Sequence, residues 1–298
     1  MNPNIKHLVI SGGGTFGLTA YGILKETHNK GFWNINNIES CHGTSVGTIV
    51  SLLILLKYDW EEIDNYLIKR PWNKLFKYDI KNCLNTYEKC GAFQKNDFVK
   101  SFEPLFSGVE IDININMKDF YELTKIEFYS YSVEMNYFNL ECFSYKTHPE
   151  MKVVDAVYAS CCLPIVFQPL IIEDKAYIDG GLFLNYPLRQ CIEKMNADVD
   201  EVFGIYKSMN GENKKLVDEK SNMFDYFLVV FKNMVKLMNK DSYTSECKYQ
   251  IQIHRGHTTF DELQKFIESE SYRESMIKEA SSYCDDFMKK IESMNENA

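Results

Sequence analysis

The 298-residue chain carries 33 basic and 42 acidic side chains, a net charge of −9, with 45% hydrophobic and 25% charged residues. These are ordinary globular proportions, and the acidic balance argues against nucleic acid as a main partner and against wholesale adhesion to anionic membrane. The opening MNPNIKHLVI has no charged segment leading into a long apolar run, so no signal peptide is expected. The longest apolar run, Ile49–Leu56, is far short of the roughly 20 residues a transmembrane helix needs. None of the nine cysteines forms a C-x-x-C pair, which favours free, buried thiols in a reducing compartment, the cytoplasm, over zinc ligands or disulfides.

In chain order, Ile5–Ile10 reads as a short buried strand, broken only by Lys6 and His7. Ser11, Gly12, Gly13, Gly14, Thr15, Phe16 and Gly17 follow, and helical spacing starts at Leu18. A strand, a glycine turn and a helix start together aim bare backbone N–H groups at a bound phosphate or a transient oxyanion. After a polar break at Asn34–Asn37, Ile38–His42 reads as a second strand, ending in Gly43-Thr44-Ser45-Val46-Gly47. The apolar stretch from Val46 is a buried helix, so Ser45 sits at a strand-to-helix corner with glycine two residues away on each side. That is the setting of a G-x-S-x-G nucleophile elbow; the bland alternative is a tight turn whose serine caps the helix.

Asp59–Lys69 and Asn96–Phe106 have amphipathic helical spacing. Between them Lys69, Arg70, Lys74, Lys77 and Lys81 alternate with Trp72, Leu75, Phe76 and Tyr78, a solvated face with tucked aromatics or a lipid-facing surface. Ile126–Ser144 reads as a strand pair, Val153–Cys162 as a short helix, and Leu170–Ile172 with Ala176–Ile178 as a hairpin. The hairpin's second arm runs into Asp179-Gly180-Gly181, where the glycines let the backbone turn away while the carboxylate faces a site. Val202–Lys207 is another strand, 208–220 a polar loop, and Phe224–Asn239 a largely apolar helix carrying Lys232, Lys236 and Lys240 on one stripe. Such a helix packs on a core or enters a membrane interface. Tyr249–His254 alternates as a strand, and Asp261–Ile291 holds terminal helices. With no linker or repeat, the expected architecture is a single three-layer α/β/α domain with a mostly parallel central sheet.

Gly12–Gly17 also fits G-x-G-x-x-G, but the second strand ends in Cys41-His42-Gly43 without the acidic residue a dinucleotide site wants there. A serine hydrolase explains more: Ser45 attacks, the glycine loop holds the oxyanion, and a base takes the proton. Either Asp179 acts directly, which requires a dry pocket to raise its pKa, or it works through His257 or His254.

Taken together, these blocks resemble the patatin-like phospholipases, lipid acyl hydrolases with a Ser–Asp dyad. Gly12–Gly17 is similar to the family's glycine loop, Gly43–Gly47 to its elbow, Ala159, Ser160, Pro164 and Phe167 to an A-S-x-x-x-P-x-x-F segment, and Asp179, Gly180, Gly181, Asn185 and Pro187 to D-G-G-x-x-x-N-x-P. The resemblance implies Ser45 as nucleophile, Asp179 as general base, Gly12, Gly13 and Gly14 as oxyanion hole, and Gly17, Gly43, Gly47, Gly180 and Gly181 as motif supports. It implies a fold related to the cytosolic phospholipase A2 catalytic domain, with a recognisable core over 5–190 and a helical part over 215–298 of one domain spanning 1–298. It implies no metal and no cofactor. The expected substrate is a phospholipid or other lipid ester, met peripherally at a membrane surface. A catalytically silent lipid- or protein-binding relative is the alternative from another class. One departure stands out: the family often has Arg or Lys where this chain has Phe16.

Overall fold

Leu8, Val9 and Ile10 are all fully buried, which an aliphatic strand achieves in the middle of a sheet covered on both faces. The computed structural model describes residues 3–77, 86–208, 217–219, 221, 223–238, 247–254 and 259–296. Its strands are β1 (His7–Ile10), β2 (Ser40–Thr44), β3 (Gly91–Phe93), β4 (Glu127–Glu134), β5 (Asn139–Phe143), β6 (Ile165–Phe167), β7 (Leu170–Ile172), β8 (Lys175–Asp179), β9 (Val202–Lys207) and β10 (Tyr249–Ile253). The main sheet runs β10-β9-β1-β2-β4-β8-β7, with β5 also on β4. Its pairings from β10 through β9, β1 and β2 to β4 are parallel, and those of β5, β8 and β7 antiparallel.

Alternation along the strands assigns the layers. Leu8, Ile10 and Phe128 face a core shared with α1 (Phe16–Asn29), α2 (Val46–Leu55) and the helix Val153–Cys161. Val9, Tyr129, Tyr131 and Val133 face the other way, toward the helices Leu188–Met195 and Met223–Met238. The expected three-layer α/β/α arrangement is what the chain adopts. The C-terminal helices Glu270–Lys278 and Ala280–Glu296 join the first core on the back of α1, where Thr19 Oγ1 donates to Met276 O at 3.1 Å and Cys284 is fully buried.

The register of β4 positions everything that follows. Ser130 and Tyr131 pair with both β2 and β5, and Ser132–Glu134 with both β5 and β8. A strand has two edges, so β2 and β8 share one and β5 takes the other. β2 ends at the pair Thr44–Tyr131, while β8, running the opposite way, ends at the pair Asp179–Ser132. The residue after Thr44 and the last residue of β8 therefore meet at neighbouring positions of one edge.

Several elements differ from the sequence expectations. β3 and β6 form a separate two-stranded sheet, and the helices Met117–Thr124 and Leu188–Met195 were not anticipated. The aromatics after Asp59–Lys69 are tucked in: Trp72 is buried, Phe76 packs against Phe93 and Phe167, and Arg70 lies over the Tyr66 and Trp72 rings. Tyr78, Lys81, Cys83, Lys240, His257 and most of the 208–220 loop lie outside the described residues, as does the Lys232 side chain. Cys90 is exposed, correcting the expectation of uniformly buried thiols.

Gly47 shows how tightly α2 is docked on the end of β1. A Cβ there would lie 2.2 Å from Ile10 O and 2.7 Å from Ser11 O, both backbone atoms of a buried strand end. Gly47→Ala is expected to lower stability by about 3 kcal/mol. Urea unfolding should show this as a fall in midpoint at unchanged m-value, and an unchanged midpoint would contradict it.

Candidate active site

Ser45 sits between β2 and α2 with φ 53° and ψ −127°, backbone that a non-glycine residue adopts at a cost of about 1–3 kcal/mol. The corner closes because Gly43 has no side chain: a Cβ there would come within 2.5 Å of Gly47 C and Thr48 N. Ser160, from the helix Val153–Cys161, locks it. Its hydroxyl accepts from Ser45 N–H at 2.8 Å and donates to Tyr131 O at 2.5 Å. The elbow is thus tied to the β4 position beside which β8 ends.

Ser45 Oγ donates to Asp179 Oδ2 at 2.6 Å. The other carboxylate oxygen, Oδ1, accepts from Gly181 N–H at 2.7 Å, and Asp179 N–H donates to Cys162 O at 3.0 Å. Carboxylate and backbone are both anchored, so one oxygen is left aimed at the serine. Asp179 is 5% exposed. Burial pushes its pKa from 3.8 up to about 6, against the bonds from Ser45 and Gly181 that favour the charged form.

The glycine loop lies alongside. Gly12 N–H donates to Asn185 O at 2.9 Å, and Asn185 Nδ2 donates to Gly12 O at 3.3 Å. A Cβ on Gly12 would be 2.5 Å from Asn185 Oδ1 and 3.2 Å from Ser45 Cβ, so the loop touches Ser45. Gly12, named from the sequence as an oxyanion donor, has its N–H engaged by Asn185, which narrows the donor candidates in the loop to Gly13 and Gly14. Gly14 turns the chain at φ 62°, and Gly17 N–H closes the turn onto Gly14 O at 3.1 Å. Gly17 packs against Val46, and Gly180 against Tyr131 O.

His254 is not brought to the site. It is exposed, directly after β10, and β10 is three strands from β2, about 14 Å at the usual strand spacing. Ser160 and Asn185 were visible only as letters of motifs; their hydrogen-bonding roles emerge from the fold. Among the described residues no group of three or more His, Cys, Asp or Glu is placed to hold a metal. The arrangement can deprotonate a serine hydroxyl next to backbone donors, which is the equipment for acyl transfer.

The family model described as patatin-like phospholipase matches residues 8–192. Uncharacterized protein R571 of Acanthamoeba polyphaga mimivirus is 28% identical over 246 residues, covering 81% of this chain and 78% of that protein. Probable lipid hydrolase 463L of Invertebrate iridescent virus 6 is 28% identical over 191 residues, 64% of each. Among solved structures, VipD from Legionella pneumophila gives a TM-score of 0.48 at 14% identity, covering 93% of this chain and 67% of that one. A chain of the ExoU–SpcU complex from Pseudomonas aeruginosa gives 0.42 at 14% identity, covering 95% of this chain and 53%, about half, of its own.

The Asp179 environment predicts a pH-dependent stability. With its pKa raised to about 6, the folded chain holds this proton more tightly than the unfolded chain does. The resulting stability is fully present below about pH 4 and is lost as pH rises through 6, leaving a penalty of about 3 kcal/mol on the charged form. Asp179→Asn removes the titration. The stability of this variant relative to wild type should rise by about 3 kcal/mol between pH 4 and pH 7 in urea melts; a difference that stays flat would refute the assignment.

Proposed function

The chain belongs to the patatin-like phospholipase family, and we propose that it is a serine-dependent lipid acyl hydrolase of phospholipase A type working through a Ser45–Asp179 dyad. The observation that carries this reading is the 2.6 Å hydrogen bond from Ser45 Oγ to a buried carboxylate whose pKa is raised to about 6. A base poised near neutrality, within reach of the hydroxyl it deprotonates, meets both demands of general-base catalysis.

In this mechanism Asp179 Oδ2 takes the Ser45 proton as Oγ attacks the ester carbonyl. The negative charge on the carbonyl oxygen is received by Gly13 and Gly14 N–H groups and by the positive N-terminal end of α2. Asp179 then returns the proton to the departing alcohol oxygen, leaving an acyl-Ser45. A water deprotonated by Asp179 attacks the acyl carbon, and collapse of the second tetrahedral intermediate restores Ser45 Oγ–H and releases the fatty acid. No histidine is required, because the serine hydrogen bond goes directly to the carboxylate. The same completed geometry favours an active enzyme over a silent scaffold.

A lipid surface as the place of action is supported by the apolar side chains around this end of the sheet. The helix Met223–Met238 buries Val235 against Ile178 and Leu182, the neighbours of Asp179, and leaves Met223, Tyr226, Val230, Met234 and Leu237 exposed. Tyr137 and Phe138 at the β4–β5 turn continue that surface through Phe138, whose ring centroid is 6.1 Å from that of Phe183. Among the described residues no helix is long and apolar enough to cross a membrane, so contact of this kind is peripheral.

Wild-type protein is expected to release fatty acid from phospholipid vesicles with EDTA present, with kcat/KM rising through about pH 6 to a plateau as Asp179 ionises. Ser45→Ala and Asp179→Asn should each lower turnover by about a thousandfold or more, while His254→Ala and His257→Ala retain it. Loss of turnover in either histidine variant would replace the dyad by a Ser–Asp–His esterase, and absence of turnover in folded wild type would favour the silent scaffold. Partition onto neutral phosphatidylcholine vesicles should persist at raised salt and fall about tenfold or more in Tyr226→Glu/Leu237→Glu, since each side chain contributes about 1.5–3 kcal/mol of apolar burial. Equal partition of the double variant would remove this helix from the lipid contact.

A further inference from the structure

Lys207 is the last residue of β9, after the strand run Val202 to Tyr206, and is 6% exposed. A lysine is rarely buried to that degree, because desolvating an ammonium costs heavily unless its surroundings repay it. Register sets it beside the glycine loop. Ile10 pairs with Gly43 on one side and with Ile205 on the other, so two residues further on Gly12, Ser45 and Lys207 occupy one row across the three parallel strand ends. Lys207 N–H donates to Ser11 Oγ at 3.1 Å, and Lys207 Nζ donates to Gly13 O at 3.5 Å. Gly13 is sandwiched: a Cβ there would lie 3.0 Å from both Lys207 Cδ and Phe16 Cδ1. The loop Gly12–Gly17 itself contains no cationic side chain; the charge beside it arrives from β9.

We propose that Lys207 is a positioning residue for acyl transfer, its ammonium holding the Gly13–Gly14 peptide so that Gly14 N–H is presented to the oxyanion. This rests on the hydrolase reading above. Gly13 C=O and Gly14 N–H belong to one peptide unit, and no described peptide bond is cis. In a planar trans peptide the two groups point in opposite directions. An ammonium on the oxygen therefore fixes the N–H away from Lys207, and by polarising the peptide it strengthens that N–H as a donor. Glycine at 13 lets the lysine stem pass this close, and glycine at 14 takes the positive φ of 62° without strain. Because the contribution is to the oxyanion, it is realised mainly as charge develops on the carbonyl oxygen, and it should appear in kcat more than in KM.

The test compares wild type, Lys207→Met and Lys207→Arg as full-length chains on phosphatidylcholine vesicles, with active sites counted by stoichiometric fluorophosphonate labelling at Ser45. Lys207→Met is expected to lower kcat per labelled site by about ten- to a hundredfold with KM within about twofold, a fraction of what a direct oxyanion donor contributes. Lys207→Arg, which keeps the charge and the donors, should recover most of the loss. A purely structural lysine would instead reduce the number of labelled sites and leave kcat per site at the wild-type value, and that result overturns the proposal. Equal impairment of the Arg and Met variants per site overturns it as well. Should Lys207→Met not fold, Lys207→Gln, a neutral donor of shorter reach, carries the same comparison against Arg. Failure of the underlying reading has its own signature: wild type neither labelled nor active, or Ser45→Ala as active as wild type.

Discussion

The site depends on one edge of β4, where two strands running in opposite directions end side by side. β2 ends against Tyr131 and β8 against Ser132, and each end carries one member of the Ser45–Asp179 pair. Neither side chain needs a long reach, so few rotatable bonds separate the hydroxyl and the carboxylate from rigid backbone. Ser160 strengthens the junction by bonding both the elbow and the Tyr131 carbonyl, while the Ser130 hydroxyl donates to Ala156 O on the same helix and the Ser132 hydroxyl lies between Ala159 O and Ile178 O. Three serines thus fasten one helix to the strand against which the two halves of the site meet.

That rigidity holds a strained residue. Ser45 at positive φ would relax if the corner could open, and the surrounding structure prevents it: Gly43 and Gly47 are both in backbone contact, and the largely apolar body of α2 is buried behind them. Strain of about 1–3 kcal/mol is small beside the burial of a helix with Leu52, Leu53 and Leu55 all in the core. The result is a hydroxyl held clear of the sheet, at the end of the parallel strands where helix N-termini and loop amides also gather.

Backbone requirements left the clearest imprint on the sequence. The elbow was legible because its two glycines occur at a fixed spacing between an apolar strand and an apolar helix. Asp179 was legible as a strand-end carboxylate, yet its partnership with Ser45 is made across 134 positions, and local pattern carries no record of which strand edges meet. Gly12, Gly13 and Gly14 are interchangeable as letters; only the fold shows that the first gives its N–H to Asn185. Tyr249–Ile253 alternates as read, but strand order puts it at the far edge of the sheet, and that distance from Ser45, which separates His254 from the dyad, is not written in the local pattern. β3 has three residues, too few for any period to declare itself. The helix Met117–Thr124 did leave a trace, Asn116 capping through Asp119 N–H, and Leu188–Met195 starts just after Pro187; both are eight residues long and easily passed over. Lys207 closes an apolar strand like any terminal lysine, and its position over the glycine loop follows from the β1–β9 register alone.

In the proposed mechanism, dryness sets how strong a base Asp179 is. Burial disfavours the Asp179 carboxylate and lifts its pKa to about 6, while two hydrogen bonds keep it from rising further, so the group is charged at neutral pH and still basic enough to accept a proton. A wetter site would ionise Asp179 more easily and weaken it as a base. A drier one without the Gly181 bond would leave the carboxyl protonated and unable to act. Gly181, which looks merely structural, therefore helps to set the working range of the proposed base through its hydrogen bond to the carboxylate.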